Sequence, residues 1–265
     1  MRRTLLAAAL LILCCATAQS AEVKDLYSAQ AIVTGTVEPE RTRGFRAGLA
    51  DLVVKLTGDA RLQDDPRLAP LLNNPRHFVE HFEYEDRMKG IPVHDEQGTR
   101  ERPYYLRMWF KAPEVDAALK ALGLRIWPAD RPVLAVWLGV RTAAGRYVLR
   151  ATGPDGYGQR LVILETAARR GLPVRLPPQD GAPDGVSVDD IAAANMPKIA
   201  RASPGAGALL SGVLSVTPDG YWDIAWRLTR QDRFRAWTMH HVSFDTALKN
   251  GLQTAALVLS GNAPL

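Results

Sequence analysis

Cysteine is missing from all but the first fifteen residues of this chain. Its two cysteines, Cys14 and Cys15, lie inside an N-terminal apolar segment. If that segment is removed, the remaining protein has no thiol, which excludes a disulfide, a thiolate metal site and a cysteine nucleophile. Long apolar runs are also missing after the N-terminus. No later stretch approaches the roughly 18 consecutive apolar residues of a membrane helix, so we expect no membrane span in the mature chain.

The N-terminus itself has the three zones of a secretory signal. Residues 1–3 are short and basic, residues 5–15 form an unbroken apolar run, and small residues follow, with Ala18 and Ala21 as candidate cleavage ends. The apolar run is shorter than the roughly 20 residues needed to span a bilayer. This layout predicts a cleaved signal peptide over 1–21 and a periplasmic location in a bacterium.

A large excess of charge of either sign is also missing. The 33 lysines and arginines against 28 acidic residues give a formal net charge of +5, and the basic residues are scattered. Removal of residues 1–21 would leave 244 residues and 31 of the 33 basic residues, a net charge of +3. A weak, dispersed charge predicts no nucleic-acid partner.

The length of the chain and the positions of two prolines predict two modules after the signal peptide. Trp127 is followed by two prolines, Pro128 and Pro132, which end the preceding helix and favour an extended link. We therefore predict an N-terminal module over 22–127 and a C-terminal module over 128–265. The expected fold class is α/β (α+β), with two mixed-sheet α/β modules whose helices pack on the sheets.

The elements of the N-terminal module follow from periodicity and from helix end signals. Apolar residues spaced by three and four predict a helix over 43–56 that ends at Gly58. Proline at a first helical position predicts short helices after Asp65 and at Pro75. The remaining predicted elements are strands over 29–37 and 104–110 and a helix over 113–122.

The C-terminal module opens with an apolar run over 133–140, which suits a central strand buried on both faces. Later elements predicted from the same signals are helices over 157–170, 188–194 (capped by Ser187) and 246–259 (capped by Asp245), and strands over 208–216, 221–229 and 234–244. Along the second of these strands, four large apolar residues alternate with polar ones. We expect the face that carries Trp222, Ile224, Trp226 and Leu228 to pack on the closing helix.

Three stretches resemble a family of exported proteobacterial proteins of unknown function, the DUF2066 family. They are Val33-Thr34-Gly35-Thr36 continuing to Val53-Val54-Lys55-Leu56-Thr57-Gly58-Asp59, Leu122-Gly123-Leu124 with Trp127, and Asp130-Arg131-Pro132 running into Leu134, Val136 and Trp137. The resemblance brings no activity.

The second half is similar, more loosely, to the N-terminal α/β module of TolB and of the LpoB and CsgG envelope lipoproteins. The similarity rests on the order strand, helix, Gly-Leu-Pro, helix, and then Ala208-Leu209-Leu210-Ser211-Gly212 leading into a strand and a turn at Gly220-Tyr221. It implies a protein-binding module of envelope assemblies, without catalytic residues.

The sharpest chemical motif is His77-Phe78-Val79-Glu80-His81, which fits the H-x-x-E-H pattern of inverted zinc proteases. On a helix, His77 and His81 would lie one turn apart and bind one zinc ion, with Glu80 as the base. The nearest third ligands are Glu83, Glu85, His94 and Asp95. The alternative interpretation, an amphipathic helix end with no metal, is the one that we prefer.

Two further groups have simple structural interpretations. His241, Ser243 and Asp245 contain the residue types of a serine triad, but no nucleophile turn of the G-x-S-x-G type occurs, so a strand and a helix cap are favoured. Residues 153–158 are rich in glycine and precede a helix, yet they lack the lysine of a phosphate loop.

These patterns favour a non-enzymatic accessory or adaptor protein of the cell envelope, with an envelope protein as partner and no cofactor or catalytic residue. A zinc-dependent hydrolase using His77, Glu80 and His81 is one alternative. A small-ligand-binding periplasmic protein that uses a cleft in the second half is the other.

Overall fold

The computed structural model describes residues 20–90, 102–179 and 185–265. The signal sequence predicted over 1–21 lies almost wholly outside these ranges. The described chain has an α/β fold with mixed sheets and helices packed against them, as predicted. We use "first module" for 22–127 and "second module" for 128–265. Among the described residues, none of the helices combines the length and the apolarity that crossing a membrane requires.

The helices, in chain order, are α1 (Glu40–Thr57), α2 (Ala69–Leu72), α3 (Pro75–Phe78), α4 (Ala112–Ala121), α5 (Tyr157–Arg170), α6 (Val188–Ala192), α7 (Met196–Arg201) and α8 (Phe244–Leu259). The strands are β1 (Ser20–Glu22), β2 (Ser28–Thr34), β3 (Val79–Asp86), β4 (Pro103–Phe110), β5 (Asp130–Pro132), β6 (Leu134–Thr142), β7 (Gly145–Val148), β8 (Val174–Arg175), β9 (Ala208–Val216), β10 (Trp222–Arg230) and β11 (Arg233–Val242). Two short 3₁₀ turns, Ala60–Asp64 and Pro66–Leu68, follow α1.

The first module is one long helix packed on a three-stranded antiparallel sheet of order β2-β4-β3. Apolar residues of α1 at spacings of three and four, including Phe45 and Leu49, are buried against Leu106 and Met108 of the central strand. Gly58 ends α1 in the left-handed conformation, with φ of 73°, as its position predicted.

The second module is built on a larger mixed sheet of order β11-β10-β9-β6-β7, with β8 also paired to β6. Strand β6 runs parallel to β8 and β9, whereas the pairs β6–β7, β9–β10 and β10–β11 are antiparallel. All residues from Leu134 to Val140 are buried, which confirms the central position predicted from the apolar run.

Helices cover the two faces of this sheet to different extents. On one face, α5 and α8 bury alternate residues of β6, β9 and β10 in the largest apolar cluster. On the other face, α6 and α7 pack over β6 and β9, where Ile191 and Ile199 contact Ala135 and Trp137. The part of that second face formed by β10 and β11 has exposed or half-buried residues along both strands.

Trp226 joins β10 to α8 and confirms the predicted packing of this strand on the closing helix. Its indole N–H donates to the carbonyl of Ala247, at 3.1 Å, and its side chain is 2% exposed. Two glycines leave room for the ring. A Cβ on Gly212 of β9 would lie 2.4 Å from Cε3 of Trp226, and one on Gly251 of α8 would lie 2.6 Å from Cε2. Trp226 is therefore held between a strand and a helix that each lack a side chain at the contact.

Arg131 connects the two modules where α1 and α5 end. Its fully buried guanidinium donates to the carbonyls of Lys55, Arg170 and Gly171, each at 2.9 Å, and lies 4.0 Å from the ring centroid of Trp127. The carboxyl ends of two helices carry partial negative charge, which compensates the cation without a carboxylate. Burial lowers the pKa of Arg131 to about 10.

The same junction buries a lysine and pairs the first described strand. Lys55, at 8% exposure, donates to the carbonyl of Ser28 at 2.5 Å. Burial, and secondarily the charge of Arg131, lowers the pKa of Lys55 to about 8. Strand β1 pairs with β5, so Ala21 lies opposite Arg131. We name this region the Arg131 junction.

Candidate functional site

The H-x-x-E-H motif is divided between a helix and a strand. His77 lies on the four-residue helix α3, whereas Glu80 and His81 belong to β3. The backbone becomes extended at Val79, before a second helical turn forms, so the two histidines do not share a helical face. The imidazole of His81 instead stacks on Trp109, with ring centroids 4.3 Å apart and planes 9° from parallel.

The proposed third ligands do not complete a metal site within the described residues. Glu83 and Glu85 follow on β3, opposite Arg107 and Tyr105 of β4, and Glu85 forms an ion pair with Arg107 at 2.5 Å. The other two candidates, His94 and Asp95, lie outside the described residues. Over 20–90, 102–179 and 185–265, no group of three or more His, Cys, Asp or Glu side chains is arranged to hold a metal ion.

The candidate triad residues have separate partners. His241 Nε2 lies 2.6 Å from Asp219 Oδ2, and its ring stacks on Tyr221. Ser243 Oγ accepts the backbone N–H of Thr246, at 3.2 Å. Ser243 is therefore the N-cap of α8, and the prediction that Asp245 caps this helix was wrong, because the helix begins two residues earlier than its apolar pattern indicated.

The glycine-rich loop before α5 contributes carbonyl groups rather than an anion cradle. The guanidinium of Arg160 donates to the carbonyls of Arg150, Gly153 and Asp155, at 2.8 to 3.1 Å. A cation thus fills the inside of the turn. The loop fixes the start of α5, as a plain turn would.

An exposed apolar stripe on α5 is the clearest candidate for a binding surface. Tyr157, Leu161 and Leu164 are 72%, 43% and 45% exposed, and the exposed Ala168 continues the same row. Residues separated by four, three and four positions lie along one side of a helix. The opposite side of α5, including Ile163 and Ala167, is buried against the second-module core. We call Tyr157, Leu161, Leu164 and Ala168 the α5 stripe.

A shallow groove crosses the second face of the large sheet, beside α6. Its volume is about 400 Å³. Its floor contains a row of small or short side chains, because Ala225 pairs with Val213 on one side and with Thr238 on the other. Arg227 lies on one side of this row and Asp223 on the other. We call this the sheet groove.

Asp223 and Arg227, which lie on opposite sides of the floor of the sheet groove, are held by neighbouring groups. The backbone N–H of His241 donates to Asp223 at 2.9 Å and lowers the pKa of that carboxyl. The guanidinium of Arg227 lies 3.8 Å from the ring centroid of Phe234. The groove therefore presents a fixed anion and a fixed cation across a floor of small residues.

The outer face of the first sheet is covered by its own side chains. Its cross-strand pairs are His81 stacked on Trp109, Glu85 with Arg107, and Arg87 over Tyr105 at 4.9 Å. Gln30 of β2 also accepts from Arg107 at 3.3 Å. These side chains have partners within the module, so this face is a weaker candidate than the α5 stripe or the sheet groove.

The comparisons with known proteins concern the first module. Residues 20–128 match the model of a domain of unknown function, DUF8605. The first module is similar to that domain. No curated protein is similar enough to match the chain. The match covers β1 to α4, and it does not extend to the α5 stripe or the sheet groove.

Both resemblances stated from the sequence were wrong. The family model that matches the first half is DUF8605, not DUF2066, and no match supports a similarity of the second half to TolB, LpoB or CsgG. The residues that suggested DUF2066 have common structural duties here. Val53 and Leu56 belong to the buried face of α1, and Gly58 is its left-handed cap. Such short patterns recur wherever an amphipathic helix ends at glycine.

Proposed function

We propose that this chain is a non-catalytic accessory or adaptor protein of the bacterial cell envelope, and that the α5 stripe binds its protein partner. The observation that carries the proposal is the exposure of Tyr157, Leu161 and Leu164 on one side of a helix whose other side is buried. Contiguous apolar side chains on a surface mark sites of protein interaction more often than scattered ones do.

The energetics of the α5 stripe support a protein partner. Full burial of a large apolar side chain contributes about 1.5–3 kcal/mol, so three such residues supply a useful part of a specific affinity. The helix is fixed at both ends, since Gly171 caps it in the left-handed conformation and Arg160 binds the loop before it. A partner would thus meet a rigid surface and would lose little ordering entropy.

The envelope location rests on the signal-like N-terminus. Fusion of alkaline phosphatase to the C-terminus should give an active enzyme, and mass spectrometry should find a mature end after Ala18. We expect that end because cleavage after Ala21 would remove two of the three residues of β1, Ser20 and Ala21, which pair with β5. A cytoplasmic protein that retains Met1 would overturn the location.

A photo-crosslinker tests the binding surface. Benzoylphenylalanine in place of Tyr157 should capture one protein in intact cells, and the double variant Leu161→Ser/Leu164→Ser should abolish that product. The matched control is the same crosslinker at Tyr221, which is 46% exposed on another part of the surface. A product that persists in the double variant, or one that contains only a second copy of this chain, would contradict the adaptor proposal.

Binding of a small ligand in the sheet groove is the second candidate. A volume of about 400 Å³ falls within the range of ligand pockets, which is roughly 300–1,000 Å³. Arg227 and Asp223 on opposite sides of the floor suit a ligand that carries both signs of charge, such as an amino acid or a short peptide end. Calorimetry with a mixture of free amino acids, using Arg227→Ala as the control, separates this candidate from the adaptor.

A further inference from the structure

The turn between β10 and β11 carries four arginines that lack the partners found elsewhere in this protein. They are Arg227 and Arg230 of β10 and Arg233 and Arg235 of β11. In the described part of the chain, none of the four forms an ion pair with a carboxylate, whereas arginines such as Arg61, Arg107 and Arg146 do. We call these four arginines, with Phe234, the arginine tip.

The arrangement of the arginine tip is unfavourable for the folded protein alone. Arg230 and Arg233 lie directly opposite each other in the antiparallel register. Like charges in that position destabilise a strand pair. Asp232, in the turn between them, forms no ion pair with any residue that the structure describes. An external anion would relieve this repulsion.

The arginine tip also exposes an aromatic ring, next to a turn that extends past the neighbouring strand. Pairing between β9 and β10 ends at Thr229, so the turn from Arg230 to Arg233 extends past the neighbouring strand. Phe234 is 53% exposed, and Arg227 lies over its ring at 3.8 Å. The side chain of Arg235 is fixed by the C-terminal segment, since it donates to the carbonyl of Pro264 at 3.3 Å.

We propose that the arginine tip docks this protein on a lipid bilayer that contains anionic phospholipid. The guanidinium groups would bind headgroup phosphates, with which arginine forms paired hydrogen bonds. Phe234 would enter the boundary between headgroups and acyl chains. The register puts Arg230, Arg233 and Arg235 on the face of the hairpin that packs on α8, and Arg227 and Phe234 on the opposite face. A bilayer that meets the end of the hairpin can contact side chains of both faces near the turn, whereas a peptide lying along one face would contact only part of this set. This surface is independent of the α5 stripe.

Vesicle co-sedimentation of the purified protein tests the proposal. The protein should bind vesicles of phosphatidylglycerol and phosphatidylcholine, and pure phosphatidylcholine should bind little. Each basic residue near an anionic surface contributes about a fivefold gain in affinity, so Arg230→Gln/Arg233→Gln should weaken binding roughly 30-fold. Raising the salt concentration should weaken binding in the same direction. Phe234→Ser should reduce affinity by about tenfold, because it removes apolar insertion.

The matched control is Arg43→Gln/Arg67→Gln, which removes the same charge from two exposed arginines that have ion-pair partners. This variant should retain most of the binding. An equal loss in the control, or equal binding to neutral vesicles, would overturn the proposal. Complete displacement by inorganic phosphate, together with an unaffected Phe234→Ser variant, would show a site for small anions instead of a bilayer. Thermal unfolding should confirm that all three variants fold.

Discussion

The two main sheets of this protein differ in whether the side chains away from their packed helices have partners within the protein. On the first sheet, charged and aromatic side chains pair with one another across the strands, as His81 does with Trp109 and Glu85 with Arg107. On the second sheet, β10 and β11 carry the sheet groove on their outer face and the arginine tip at their end, and the arginines of the tip have no carboxylate partner among the described residues. The contrast suggests that the first module serves mainly as a scaffold and that recognition lies in the second.

The largest effect is expected on the inner face of the second sheet. Trp226→Ala should lower the free energy of unfolding by about 3–5 kcal/mol, because a buried tryptophan is lost from between two glycines. Truncation before Ser243, which removes α8, should unfold the second module. Thermal unfolding followed by circular dichroism measures both changes.

Asp223→Ala is the matched control for this strand, since Asp223 lies on the outer face of β10, three positions before Trp226. It should cost only about 1 kcal/mol, because the hydrogen bond from the backbone N–H of His241 to Asp223 is exposed to solvent. A large effect of Asp223→Ala would show that the outer face of this sheet contributes to stability, and the contrast with the first module would then be wrong. A mild effect of Trp226→Ala would contradict the packing of this strand on α8.

The Arg131 junction decides whether the two modules can be compared as separate units. Arg131→Met removes a donor from the carbonyls of Lys55, Arg170 and Gly171, which stay buried. Hydrogen bonds to a charged group contribute about 1.5–3 kcal/mol each in the folded state. Removal of the cation also removes the cost of burying it, so we expect a net loss of about 3 kcal/mol. Hydrogen exchange by mass spectrometry should show the ends of α1 and α5 opening together. Arg169→Gln, at an exposed site beside the same helix end, should change exchange far less.

The free energy of unfolding should depend on pH because of Lys55. Burial lowers its pKa in the folded state to about 8, from 10.5 in the unfolded chain. Between these values the unfolded chain binds more protons, so the free energy of unfolding rises with pH, by at most about 1.4 kcal/mol per pH unit from this group. Below pH 8 both states hold the proton and the group contributes no slope.

Urea titrations of the wild type and Lys55→Met at several pH values between 7 and 9.5 measure this difference directly. The variant should lack the rise, because Arg131 and the tyrosines affect both proteins alike. Lys249→Met provides the control for loss of a lysine from an exposed position. An unchanged slope in Lys55→Met would mean that this amine is hydrated in the native protein.

The smallest effects are expected on the outer face of the first sheet and at the arginine tip. Trp109→Ala should cost about 1 kcal/mol or somewhat more, because it removes the stack with His81. Arg233→Gln, at the arginine tip, should leave the melting temperature unchanged or raise it slightly, since it relieves the repulsion with Arg230. A loss of stability in Arg233→Gln would show that the tip has a partner within the fold, as the charged side chains of the first sheet do.

Elements with a strong local pattern could be predicted from the sequence. The strand over 208–216 and the helix over 157–170 have the predicted bounds, and the packing of Trp226 on α8 follows from strict alternation. In each case the period of apolar residues is set by the element itself, so a single stretch of sequence contains the information.

Features that depend on distant partners could not be predicted. The parallel pairing of β6 with β9 joins segments separated by more than sixty residues, and the role of Arg131 depends on the ends of two helices from different modules. Likewise, apolar residues at 157, 161 and 164 fit the pattern of a helix, but the sequence does not indicate that this side stays exposed. The prediction of a helical H-x-x-E-H motif was wrong because five residues do not determine where a helix ends, and α3 ends at Phe78.

The pairing of β1 with β5 sets an order of events in folding. Ser20 pairs with Pro132, so its partner strand is synthesised 112 positions later. In a chain delivered N-terminus first, β1 has no place to dock until the whole first module and the start of the second have followed. Closing a loop of that length is slow compared with forming a helix or a hairpin. The β1–β5 pair therefore forms only after residues 130–132 have followed, later than the helices and hairpins of the first module can form.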